Sequence, residues 1–71
     1  MRNNFVKGTE EKPEQIPYSN NSRWVRIHYL NGVSCLGYYN YKLCTWNEFK
    51  EMQNLANTVI VQEKSIRGWN Y

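Results

Sequence analysis

From Arg23 the chain alternates large apolar and polar positions with a period of two. The stretch RWVRIHYLNGVSCLGYY, Arg23 to Tyr39, reads as two strands joined at Asn31-Gly32, because a type I′ turn needs φ > 0 at both central residues. A two-residue turn sets Leu30 opposite Val33, His28 opposite Cys35, Ile27 opposite Leu36, Val25 opposite Tyr38 and Trp24 opposite Tyr39. One face is then Val25, Ile27, Tyr29, Leu36 and Tyr38, a core face. The other is Trp24, Arg26, His28, Leu30, Val33, Cys35, Gly37 and Tyr39, continuing to Tyr41.

The period changes at TWNEFKEMQNLANT. Thr45 followed three residues later by Glu48 has the form of a capping box. Trp46, Phe49, Met52, Leu55 and Ala56 fall on one half of a helical wheel, with Asn47, Lys50, Glu51 and Asn54 on the other. This predicts one amphipathic helix of about three turns, ended at Asn57 by a left-handed cap. The β-branched run TVIVQEKSI, Thr58 to Ile66, predicts a third strand. RGWNY follows as a tail that extends this strand or folds back. The expected fold is α+β, a β-β-α-β domain over 23–71. Its three-stranded antiparallel sheet has the order 2-1-3, with the helix on one face. Residues 1–22 are polar, hold both prolines and show neither periodicity, so they are expected to be a flexible arm. Phe5-Val6 and Ile16 with Tyr18 are the apolar spots in it.

Composition narrows the class. At 71 residues there is room for one small domain, whose core often needs a staple or a partner. Cys35 and Cys44 are too few for a disulfide scaffold, no apolar leader precedes them, and no run approaches the ~20 apolar residues of a membrane span. The expectation is a cytoplasmic protein with free thiols and no membrane association. The net charge of +3 lies in residues 23–71, since the three cations of the arm balance its three glutamates. Such a bias suits an acidic protein or a nucleic acid without demanding either.

Few groups here can do chemistry. The predicted neighbours Cys35 and His28 suggest a thiol and its base, but there is no aspartate to orient the imidazole and a strand centre offers no oxyanion hole. Cys35, Cys44 and His28 lack the paired short spacing of a structural zinc site. There is no Gly-rich phosphate loop. No catalytic residue, metal or cofactor is therefore assigned, and the chain is read as a binding protein rather than an enzyme.

The second sheet face carries that reading. Trp24, Arg26, His28, Tyr39 and Tyr41, followed by Trp46 and Phe49 of the predicted helix, are residue types concentrated at protein-interface hot spots. They are assigned to a protein partner, with a homodimer as one form of it. In the alternative reading the same face binds nucleic acid, with bases on the aromatic rings and phosphates on Arg23, Arg26, Lys42, Lys64 and Arg67. The plain structural reading is coverage of the face by Phe5, Ile16, Tyr18, Trp69 or Tyr71.

The order of hairpin, capped helix with Phe49 in its first turn (TWNEF) and β-branched strand after an Asn-rich break (NLANTVIV) resembles small phage and mobile-element proteins. Among them it is similar in outline, over Val25 to Lys64, to the phage inhibitors of uracil-DNA glycosylase. Those proteins are dimers that bury an enzyme side chain in a pocket built from helix-borne residues, including a Phe; only Phe49 carries over by position. They are acidic mimics of DNA, whereas Lys50 follows Phe49 here and the core is basic. The resemblance implies a small, non-catalytic inhibitor or adaptor and leaves its target open.

Overall fold

The computed structural model describes residues 5–52 and 55–71, and its element order is all strand apart from one 3-10 turn. The strands are β1 (Val6–Lys7), β2 (Val25–Tyr29), β3 (Ser34–Asn40), β4 (Thr45–Met52), β5 (Leu55–Val61) and β6 (Ile66–Asn70), with the turn at Glu63–Ser65. They form one six-stranded sheet in the order β1-β6-β2-β3-β4-β5, every neighbouring pair antiparallel. This corrects the expected α+β fold of three strands and one helix.

The largest correction is the predicted helix. Residues Thr45 to Met52 are a strand, paired with β3 from Thr45 to Glu48 and with β5 from Trp46 to Met52. The residues of the apparent capping box serve other partners. Thr45 Oγ1 donates to Asn47 Oδ1 at 3.0 Å. The Glu48 carboxylate accepts from Tyr29 Oη at 2.9 Å and from Cys35 Sγ at 3.0 Å. TWNEFK satisfies a period of two as well as 3.6: Trp46 and Glu48 take one face, Asn47 and Phe49 the other. β-Branched Thr45 with aromatic Trp46 and Phe49 favours the strand once β3 and β5 supply ladders on both sides. Asn57, assigned to the helix cap, lies inside β5.

The second correction is one residue of register. β2 and β3 are joined by three residues, Leu30-Asn31-Gly32, not two. Tyr29 N–H donates to the Val33 carbonyl at 2.8 Å and Gly32 N–H to the Tyr29 carbonyl at 3.0 Å, with Gly32 at φ +93°. A glycine at positive φ closing a three-residue loop is the second commonest hairpin solution. Ile27 now faces Cys35 and Val25 faces Gly37. A slip of one residue turns every side chain of a strand over. Leu36 and Tyr38, expected in the core, move to the opposite face, while Tyr39 is buried. Gly37 accepts this register because a Cβ there would collide with the Asn47 carbonyl and Ile27 Cδ1.

The place beside β2 expected for Thr58–Ile66 is taken by β6, with Ile27 opposite Trp69. The core is Val25, Ile27, Tyr39, Trp46, Ile66 and Trp69, with Val6, Tyr29, Tyr41 and Val61 packed against it. Trp46 and Trp69 are 1% and 2% exposed; burying an aromatic side chain of that size contributes about 4–6 kcal/mol before conformational entropy is subtracted.

In place of the helix, residues 9–16 lie over this face. Pro13 is buried and its carbonyl accepts the Tyr41 hydroxyl. Trp69 Nε1 donates to the Glu11 carbonyl at 2.8 Å, and Lys12 Nζ stands 5.3 Å from the centre of the Tyr39 ring. Residues 14–23 then double back as a small hairpin, with Ile16 N–H donating to the Asn21 carbonyl and Arg23 N–H to that of Glu14. Ser22 ties it to β3, its N–H donating to the Tyr39 carbonyl and its Oγ accepting from Tyr39 N–H.

Candidate binding surface

The open face of the sheet is built by alternation. Arg26 and His28 point away from the core residues Val25 and Ile27. On β3 the residues of this face are Leu36 and Tyr38, on β4 Phe49 and the buried Asn47, and on β5 Thr58 and Ile60. Trp24, one residue before β2, lies edge-to-face against Tyr38 at 5.3 Å and Phe49 at 6.0 Å. At the other end Phe5 lies edge-on to the His28 ring at 5.3 Å, with the Arg67 guanidinium 5.1 Å from the Phe5 centroid. His28 Nε2 meets Asn70 Oδ1. Gly68 makes this approach possible, since a Cβ there would strike the Phe5 ring and the Val6 carbonyl.

The surface remains accessible: Trp24 is 49% exposed, Leu36 45% and Ile60 62%. Arg26 and Arg67 bring positive charge to it. At its rim Arg23 Nε pairs with Glu14 Oε1 at 3.3 Å, both side chains largely exposed. Beside Trp24 is a shallow cleft of about 530 Å³ lined by Ile16, Pro17, Arg23, Trp24 and Tyr71. The loop above it carries Tyr18 at φ +62°, a conformation uncommon for a side chain of that size, and fully exposed.

Of the residues expected at a protein interface, Trp24, Arg26, His28 and Phe49 share this face. Tyr39, Tyr41 and Trp46 do not; the register and the strand at 45–52 put them on the covered face, where their rings pack on one another. Burial raises the pKa of both tyrosines. Sequence reasoning missed Tyr38 and Leu36, whose place depends on the hairpin register. Phe5, named among the residues that could cover the face, does lie on it, against His28 and Arg67. The expected phosphate-binding set is dispersed. Lys42 is in the β3–β4 turn and Lys64 lines a separate cleft with Tyr29 and Leu30, while Arg23 and Arg67 already have partners.

The pairing of Cys35 with His28 comes apart as well. His28 is opposite Ser34, and Cys35 is on the covered side with Glu48. Desolvation first, and the hydrogen bond to Glu48 second, push the Cys35 thiol up to about 11; the same two causes raise Tyr29. A thiol held protonated beside a carboxylate acts as a donor, not as a nucleophile. Among the described residues, no group of three or more His, Cys, Asp or Glu is placed to hold a metal ion, and no helix is long and apolar enough to cross a membrane. No protein-family model, curated protein or solved structure matches the chain.

Proposed function

We propose that this is a non-catalytic binding protein that docks on another protein through the open face of its sheet and thereby blocks or adapts it, inside the cell. The observation that carries this reading is the half-exposed pair Trp24 and Leu36, set among Tyr38, Phe49 and Ile60 with Arg26 beside them. A mixture of aromatic and aliphatic side chains with Arg is typical of the energetic centre of protein interfaces, where bulk desolvation and one or two anchors supply most of the affinity. Trp24 is the anchor in this reading, and the adjoining cleft receives a side chain of the partner. The positive charges on the face favour a partner whose apolar pocket is edged by carboxylates. The phage-inhibitor character suggested by the sequence fits such a module and is part of the same proposal, with Phe49 contributing from a strand.

Nucleic acid is the weaker reading on geometry. Trp24, Tyr38 and Phe49 pack edge-to-face on one another instead of standing apart as separate platforms for bases. The cations assigned to phosphates follow no single track across the face.

The test is capture from source-cell lysate by tagged wild type and Trp24→Ala side by side, with nuclease added to half the samples. The expected result is a discrete protein that survives nuclease and whose affinity falls by about 30-fold or more in the variant, as loss of a hot-spot tryptophan does. Recovery that disappears with nuclease would replace this reading with nucleic-acid binding. An undiminished partner in Trp24→Ala would remove the open face from the account.

A further inference from the structure

The two outer edges of the sheet differ. β1 is two residues long, ends in Lys7, and is followed by Gly8 at φ +82°. β5 is seven residues long, Leu55–Val61, and its ladder with β4 runs without a bulge from Leu55 opposite Met52 to Val61 opposite Trp46. Its sequence, LANTVIV, contains no charge and no proline. Among the described residues β5 is the last strand of the sheet, so every second residue directs its N–H and C=O outward with no described strand to receive them. Short length, lysine, proline and bulges are the devices that keep an edge from pairing. β1 uses the first two of these in part, and β5 uses none.

We propose that β5 is a self-association edge, at which a second copy of this chain adds its own β5 in antiparallel fashion and joins two six-stranded sheets across a two-fold axis. A two-fold interface must be compatible with itself. Antiparallel pairing centred on Val59 sets Val59 against its equivalent, Thr58 against Ile60 and Asn57 against Val61. No charge meets its like, although the chain carries +3 overall. The opposed side chains are chiefly β-branched, a favourable kind of cross-strand pair. Val59 and Ile60, 38% and 62% exposed in the single chain, are covered by this pairing. The pairing closes on itself, because the remaining outer edges are the two short β1 strands.

Sedimentation equilibrium of the full chain up to about 100 µM reveals any dissociation constant of that order or tighter. Wild type is expected at twice the chain mass of 8.6 kDa. Ile60→Lys sets two lysines close to the axis and is expected at the monomer mass with an unchanged circular-dichroism spectrum. Trp24→Ala, on the face used for partner docking, is expected to stay dimeric. In the wild type alone, amide exchange at Asn57–Val61 should slow as concentration rises, a readout that needs no variant to fold. A monomeric wild type overturns the proposal. So does a dimer that Ile60→Lys leaves intact, or one dissolved by Trp24→Ala instead, and so does exchange at β5 that is independent of concentration.

Discussion

The cluster of Tyr29, Cys35 and Glu48 shows how individual side chains are committed by this fold. One carboxylate takes a phenol and a thiol from two different strands, joining β2, β3 and β4 where their backbone pairing differs. With its ordinary value near 9 raised to about 11, the Cys35 thiolate fraction at pH 8 is about 100-fold below that of an ordinary thiol. Exposed Cys44 should therefore be alkylated well before Cys35 in the native protein, as peptide mass mapping would show. The linkage has a definite sign. A group whose folded pKa is raised contributes stability fully below its unfolded pKa and loses it as pH rises through the folded one. Stability attributable to Cys35 is thus present below about pH 9 and lost between about 9 and 11. Cys35→Ala should make the alkaline limb of a stability-against-pH curve shallower by one proton, while Tyr29 continues to contribute to it.

At the scale of elements, the β2 reading was legible because Trp24-Val25-Arg26-Ile27-His28 alternates without ambiguity. Trp24, Arg26 and His28 therefore fall together whatever follows. The partner strand was less legible. Asn31-Gly32 fits a two-residue turn and a three-residue loop equally, and Tyr38-Tyr39 offers an aromatic ring to either face. The available signal was Gly37, which belongs where backbone and Ile27 approach closely, not on an open surface. Residues 45–57 misled for a different reason: a 3.6 period and a period of two coincide over TWNEFK, and local capping chemistry was outweighed by ladders with β3 and β5. The packing of residues 9–16 could not be read in advance because it is made by the backbone carbonyls of Glu11 and Pro13, which no composition reveals. Deleting residues 1–16 should uncover Tyr39, Tyr41 and Trp69. The expected outcome in a urea titration followed by Trp fluorescence is loss of a cooperative transition, since a core this small has little stability in reserve.

Taken whole, the molecule is one sheet with two unlike faces. The covered face buries Trp46 and Trp69 under residues 9–16. The open face presents Trp24, Leu36 and Ile60 between arginines. Both proposed interactions follow from this division, the partner on the face around Trp24 and the second copy at the β5 edge, and they adjoin at Thr58 and Ile60, which belong to both. The division also separates the two folds this sequence could be read as having, because a helix over 45–57 would leave Trp46 at an accessible margin. Hydroxyl-radical footprinting of the native chain, read by mass spectrometry at the three tryptophans, tests it most directly. Rapid oxidation of Trp24 with Trp46 and Trp69 spared is the predicted result. Rapid oxidation of Trp46 with Trp24 protected would contradict both the strand at 45–52 and the open face built on it.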